Sequence, residues 1–443
     1  MKNKIKIIVS IIILFVAAYI LKLNLIVPFV LSSIFVFLKI ASAFPPQRKY
    51  NILYPSLLFV IMLAVSILFL NYNISALFIP FSVMPMLLTI LFGDLVLAFL
   101  FTVGFSITFM SLSILFLSAE AGFTFGALAL VSGMTASLFV YKARRRSTIL
   151  RAGLLVGLVQ LFCFYVLERF SFYSWKTYVL IFLNGVISGI ITLPLLLLFE
   201  YLFGVVTNLS LLELSDTRDN PLLRQMIIKA PGTYHHSLIV GNLSEAAAEA
   251  IGANALLARV GSYYHDIGKI EKAEYFIENQ YTQDSSHEAL APSMSKLIVM
   301  NHVKEGLDLA KKYKLNPAIA DFIAQHHGTG LVYYFYRRAL EESDLEGEVK
   351  EDTYRYPGPK PRTKETAIVL LADSVEAASR ALKTPTRAKI EELVHKIINN
   401  KFIDGQLDEC ELTLKDLEII SNTFIRILNS IYHVRVTYPE NPE

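Results

Sequence analysis

Up to Gly204 the chain is built from apolar stretches of about 20 residues, the length at which a helix crosses the hydrocarbon core of a bilayer, and no other feature restricts the fold as much. Eight such stretches can be placed, near 5–22, 25–44, 53–71, 75–93, 95–117, 122–141, 149–168 and 175–204, separated by short polar breaks. Lipid offers no partner to backbone polar groups, so the stretches are expected as helices. Lys2, Lys4 and Lys6 before the first one resemble the start of a signal peptide. No small-residue cleavage site follows, however, and a second apolar run begins almost at once. Pro80 and Pro85 share one stretch and are read as tolerated membrane prolines.

Charge divides the chain at the same place. There are 14 Lys/Arg and 4 Asp/Glu up to Gly204, and 27 and 34 beyond it, so a net charge of +3 hides a basic half and an acidic half. Lysine and arginine collect on the cytoplasmic side of membrane proteins. With the N-terminus inside, that side receives Lys2, Lys4, Lys6, Arg48, Lys49, Lys142, Arg144, Arg145, Arg146 and Arg151, against Lys22, Arg169 and Lys176 outside. The second half is therefore expected in the cytoplasm. The outer loops are too short for a domain, and no acidic or histidine relay crosses the bundle, which argues against an ion-coupled transporter. The acidic half carries no dense basic stripe, so no nucleic-acid polymer is expected as a partner. Cys163 and Cys410 have no metal or redox spacing and are read as packing residues of a reducing compartment.

Beyond Gly204 an amphipathic connector precedes a helical domain. Leu211, Leu212, Leu214 and the mostly apolar 222–228 suit a helix between bilayer and domain. The segments 243–251, 255–264, 291–302, 303–313, 317–327 and 366–381 repeat apolar residues at three and four spacing, whereas alternating β-branched runs are scarce. The domain is expected to be nearly all α. Between Glu342 and Lys364 the chain turns rich in charge, Pro and Gly, and the alternate prolines of 355–361 prohibit helix. Such a segment either joins two helices or forms a wall over a site.

Seven of the nine histidines lie between His235 and His327, five of them in the strings Tyr-His-His-Ser (234–237), His-Asp-Ile-Gly-Lys (265–269) and Gln-His-His-Gly (325–328). Imidazole nitrogens with a bridging carboxylate are the usual material of Mn, Fe and Zn sites. On a helix His265 and Lys269 share a face, so one short segment presents a metal ligand, the carboxylate of Asp266 and a cation able to meet a phosphate. His326 and His327 point about 100° apart at a helix end, which allows two ligands to one ion or one to each of two. An isolated His-Asp pair is most often a hydrogen-bonded surface pair; several histidine strings in one helical domain favour a metal site. A His-and-carboxylate set without thiolate suits Mn or Fe better than structural Zn.

The order His236, His265-Asp266, His302, His326-His327, Asp373 resembles the HD superfamily of metal-dependent phosphohydrolases in its two-metal form. The strings Ala-Pro-Gly-Thr-Tyr-His-His-Ser (230–237), Tyr-Tyr-His-Asp-Ile-Gly-Lys (263–269), Tyr-Phe-Ile-Glu-Asn-Gln (275–280), Arg-Tyr-Pro-Gly-Pro-Lys-Pro (355–361) and Leu-Ala-Asp-Ser-Val-Glu-Ala-Ala (371–378) are similar to the seven-transmembrane-receptor HD family. The resemblance implies one ion held by His236, His265, Asp266 and Asp373 and another by His302, His326 and His327, with Asp266 bridging. It also implies a two-metal-activated water as nucleophile, Lys269 as a catalytic charge on a nonbridging phosphoryl oxygen, and cyclic di-AMP hydrolysed to pApA. His235 is read as a supporting or structural residue, and His287, His395 and His433 as solvated or packing residues. The chain departs from the family plan where a sizeable outer domain normally follows the first span; here that interval is a few residues near Lys22.

The expectation is therefore an all-α chain in three parts. These are a helical membrane domain of about eight spans (1–204), an amphipathic connector (205–230) and a cytoplasmic all-α HD domain (231–443) in the inner membrane of a bacterium. Its expected partners are a cyclic dinucleotide, two Mn or Fe ions and the lipid bilayer, and a homodimer is left open. Two other readings keep the same residues: an HD phosphohydrolase acting on cyclic di-GMP, a guanosine alarmone or another nucleotide, and a membrane receptor whose HD domain binds a nucleotide without hydrolysing it.

Overall fold

A computed structural model describes residues 51–168, 174–218, 220–280, 287, 290–342, 349–382 and 384–432. The expected spans 5–22 and 25–44, the basic residues up to Lys49, Arg169 and His433 lie outside the described residues. By internal contacts the chain divides into two units, Met1–Ser210 and Leu211–Glu443.

In the first unit the described helices are α1 (Leu53–Asn71), α2 (Val83–Phe92), α3 (Leu95–Phe116), α4 (Ala119–Val140), α5 (Arg146–Leu167) and α6 (Trp175–Phe203). Five of these, all but α2, are long and apolar enough to cross a membrane. The stretch 75–93 differs from the single span expected. Pro80 lacks the N–H that would continue a helix and holds Ile79 extended, leaving a 3-10 turn at Ala76–Phe78 and the ten-residue α2. A helix of that length reaches about 15 Å, half the hydrocarbon core of about 30 Å. Pro85, by contrast, sits in the first turn of α2, where its missing donor costs nothing.

The break frees backbone carbonyls inside an apolar bundle, and a buried amide takes them up. Asn184 Nδ2 on α6 donates to Leu77 O at 2.7 Å and Ile79 O at 2.6 Å. Gln160 Nε2 on α5 donates in turn to Asn184 Oδ1 at 2.9 Å and Ser132 Oγ at 2.8 Å. Irregular backbone at membrane depth persists only where protein groups satisfy it in this way. The α5–α6 pair carries Gly153 and Gly157 against Gly185 and Gly189, where a Cβ on Gly185 would meet the Gly157 backbone. Small residues at that spacing let two membrane helices pack backbone to backbone.

The second unit contains α7 (Asn208–Leu214, which starts in the first), α8 (Pro221–Lys229), α9 (Pro231–Ala250), α10 (Ala255–Tyr264), α11 (Pro292–Lys312), α12 (Pro317–Gln325), α13 (Tyr333–Glu342), α14 (Lys364–Arg380), α15 (Arg387–Ile403) and α16 (Leu414–Ile431). Its described residues form no strand; the one bridge joins Leu331 to Arg355. Helix α14 is the centre. A capping box from Thr363 and Thr366 starts it, residues 367–372 are fully buried, and α9, α10, α12 and α15 pack around it. The α8 part of the expected connector buries Leu222, Leu223 and Met226, and Gln225 Nε2 donates to the Tyr313 hydroxyl at 2.7 Å. Residues 291–313, expected as two helical segments, form the single helix α11.

Candidate metal centre

Each predicted ligand is placed by a helix or a helix end. His236 lies one turn into α9, His302 in the middle of α11, and Asp373 on α14. His265 and His326 cap the C-terminal ends of α10 and α12, with Asp266 and His327 next to them. His236, His265, Asp266, His302 and His326 are buried. Six of the seven positions form two overlapping groups, His236–His265–Asp266 and Asp266–His302–His326–His327, with potential ligand atoms within 4.8 Å of one another in each, and Asp373 lies beside both.

Asp266 joins the groups through different oxygens. Its Oδ2 is 3.4 Å from His265 Nε2 and 3.7 Å from His236 Nε2, whereas Oδ1 is 3.3 Å from His302 Nε2 and 3.6 Å from His326 Nε2. Asp373 does the same less closely, with Oδ1 3.1 Å from His236 Nε2 and Oδ2 3.7 Å from His327 Nδ1.

The imidazoles are oriented for ligation. Nδ1 of His265 donates to Ser262 O at 2.6 Å, Nδ1 of His302 to Val299 O, and Nδ1 of His326 to Ile323 O at 3.0 Å. A proton held there leaves Nε2 as the lone-pair nitrogen facing the centre. Among the described residues His265 Nε2 and Asp266 Oδ1 are buried without a hydrogen-bond partner, a costly state for polar atoms unless something else binds them. The donor chemistry and these orphaned atoms fit a divalent cation.

Electrostatics agree with that fit. Burial pushes the Asp266 carboxyl up, but the Lys269 ammonium, aided by the surrounding imidazoles, outweighs it and holds the group well below the usual carboxylate range. Burial raises Asp373 too, and the hydrogen bond from His236, with the other imidazole neighbours, reverses the direction and holds it well below the usual range. His302 is pushed down to about 3 and His327 well below its ordinary value, chiefly by burial, so both stay neutral. Burial would also lower His236, but hydrogen bonds to Asp373 and Glu376 raise it to about 10. The carboxylates thus draw a positive charge to His236, a charge that a bound cation would supply.

Local winding differs from the expected α-helix in one place that matters. Residues 267–275 form a 3-10 segment, in which positions three apart eclipse. Lys269 therefore lies over Asp266 rather than sharing a face with His265: its Nζ is 2.6 Å from Asp266 Oδ2 and 2.9 Å from Glu278 Oε1. His235 is exposed, whereas His236 beside it is buried. His287 packs against Phe335 and its Nε2 donates to Tyr275 O at 2.8 Å, and His395 meets the Ser421 hydroxyl. The proline-rich segment lies over the site, with Tyr356 stacked on His327 at 4.2 Å and Arg362 N donating to Gln325 Oε1 at 3.0 Å.

A family model described as 7TM receptor with intracellular HD hydrolase matches residues 7–207, and one for the HD domain matches 233–378. The chain belongs to this family. Among its relatives, the cyclic-di-AMP phosphodiesterase PgpH of Bacillus subtilis is 44% identical over 324 residues, which cover 72% of this chain and 45% of that protein. PgpH of Listeria monocytogenes is 41% identical over 377 residues, covering 84% and 51%. The chain thus spans about half the length of these curated relatives. A crystal structure of the L. monocytogenes PgpH HD domain in complex with cyclic-di-AMP is 49% identical over 48% of this chain and 98% of that one, with a TM-score of 0.47.

Within this HD-family site, the sequence reading assigned no role to Glu376, Glu278 or Tyr356. Glu376 Oε2 accepts from His236 Nδ1 at 2.6 Å and is itself bound by Arg380. It lies three residues beyond Asp373, on the same helix face, which was the available signal. Such a partner fixes the ring of a ligating histidine and raises its basicity, and losing it typically weakens metal affinity about 10–100-fold. Glu376→Gln is expected to do the same here, read by titrating the loaded protein with a chelator; unchanged affinity would remove Glu376 from the centre.

Proposed function

We propose that the chain is a membrane-anchored, metal-dependent phosphodiesterase that hydrolyses cyclic di-AMP to pApA. The observation that carries this reading is Asp266, whose two oxygens face two separate groups of imidazoles. The substrate follows from the relatives, which are named as cyclic-di-AMP phosphodiesterases at 44% and 41% identity. One ion would be held by His236, His265, Asp266 and Asp373, the other by His302, His326 and His327, with Asp266 bridging. Mn or Fe is the expected metal, because nitrogen and carboxylate donors without thiolate favour them. Bound there, two divalent ions supply Lewis acidity towards the phosphoryl oxygens and a water nucleophile at neutral pH.

The chain's own residues do the rest. Lys269 keeps its ammonium against Asp266 and Glu278, although burial alone would lower its pKa, and offers a positive charge to a nonbridging phosphoryl oxygen. Glu278 accepts from Thr233 Oγ1 at 3.1 Å, which ties this cation to the first turn of α9. Tyr356 covers His327 and limits access of bulk water, which strengthens each charge interaction inside. The reading assigns 1–204 to the membrane domain, 205–230 to the connector and 231–443 to a cytoplasmic HD domain, in a multi-pass protein of the bacterial inner membrane. The excess of Lys/Arg in the loop from Lys142 to Arg146 supports that orientation.

A substrate panel tests the assignment. Full-length protein reconstituted anaerobically with Mn or Fe is expected to turn over cyclic di-AMP with a higher kcat/KM than cyclic di-GMP or a guanosine alarmone, and to yield pApA. A higher kcat/KM for either alternative would reassign the substrate. Nucleotide binding without turnover would favour the receptor.

A further inference from the structure

The cations around the metal centre are nearly all neutralised by neighbouring carboxylates. Lys269 is held by Asp266 and Glu278, Arg355 by Glu351 and Asp404, Lys360 by Asp408, and Arg362 by Glu409. Lys401, in the last turn of α15, is different: among the described residues no carboxylate lies within ion-pair distance of it. Its Nζ is 3.3 Å from where a Cβ on Gly330 would stand, on the turn that follows His326 and His327 directly. Gly330 O also accepts from Tyr356 N at 3.0 Å, so the lysine flanks the same wall that stacks on His327. It is close enough to Asp373 and Asp404 to feel their charges, yet burial prevails and draws its pKa down.

An ammonium withdrawn from water without an ion-pair partner costs free energy, and beside a phosphodiesterase centre the compensating charge is a phosphate. A cyclic dinucleotide carries two phosphodiesters on opposite sides of its ring. When one is at the metals, the other needs a cation elsewhere on the wall of the site. We propose that Lys401 receives this second phosphodiester, the one not being hydrolysed, and so gives the site its preference for a substrate with two phosphates. The inference rests on the cyclic-dinucleotide reading above. Lys401 would act in binding rather than in the chemical step, because the metals and Lys269 serve the reacting phosphate.

The test uses full-length protein loaded with Mn, with wild type, Lys401→Met, Lys401→Gln and Lys401→Arg assayed on cyclic di-AMP and cyclic di-GMP. Met and Gln are expected to raise KM for the preferred cyclic dinucleotide at least tenfold with kcat within threefold, and Arg, which keeps the charge, to hold KM within threefold. The Gln variant carries the test should Met not fold. An active wild type whose neutral variants keep their KM, or lose kcat at unchanged KM, overturns the role of Lys401 alone. A wild type inactive on both cyclic dinucleotides overturns the underlying reading and this inference together.

Discussion

Asp266→Ala is expected to abolish hydrolysis, lowering kcat by about three orders of magnitude or more, the scale on which removal of one member of a cooperating catalytic set acts. The reason is its position: it is the group shared by both sets of imidazoles. Losing it removes an oxygen donor from each proposed ion at once. It also frees Lys269, which among the described residues keeps Glu278 as its one ion-pair partner. Metal content should fall from about two ions per chain to below one, measured by elemental analysis on the same samples used for kinetics. The helical fold should survive, since the α14 core is independent of the carboxylate. Turnover unaffected by the substitution would sink the mechanism.

Gly268→Ala should be nearly as damaging, through geometry rather than chemistry. A Cβ at this position would drive into His302 O and meet Gly306 N, both backbone atoms of α11. Neither can move aside as a side-chain tip would, so the 3-10 segment must separate from α11. Overpacking of this kind costs about 1–3 kcal/mol, occasionally more, and Tm in a domain of this size falls by about 2–4 °C for each kcal/mol. The same separation pulls Asp266 away from His302, now 3.3 Å from it. Loss of metal should therefore accompany the lower Tm, and a variant with wild-type Tm and full metal content would show that this contact does not set the site.

Much of this architecture was readable in advance because its signals are local. Apolar runs near 20 residues marked the long helices, and the paired strings at 235–236, 265–266 and 326–327 marked the site. The remainder depended on partners distant in sequence. Pro80 alone did not tell a kink from a break; the break is stable because Asn184, about a hundred residues later, takes the freed carbonyls. The 3-10 winding after Asp266 reflects the close approach of Gly268 to α11, which helical periodicity does not encode. Neighbouring His235 and His236 are chemically equal as letters, and only the register of α9 turns one outward and the other towards Asp373. Nothing in the local sequence separates Lys401 from an ordinary helix-terminal lysine; only the fold sets the Gly330 turn against it.

Metal analysis of the purified full chain alongside product analysis tests the central claim most directly. The protein should carry two Mn or Fe ions per chain and release pApA from cyclic di-AMP, losing both when stripped by a chelator and regaining both on reloading. Fewer than about one ion per chain after anaerobic loading, or pApA formed equally fast by stripped protein, would contradict a two-metal phosphodiesterase.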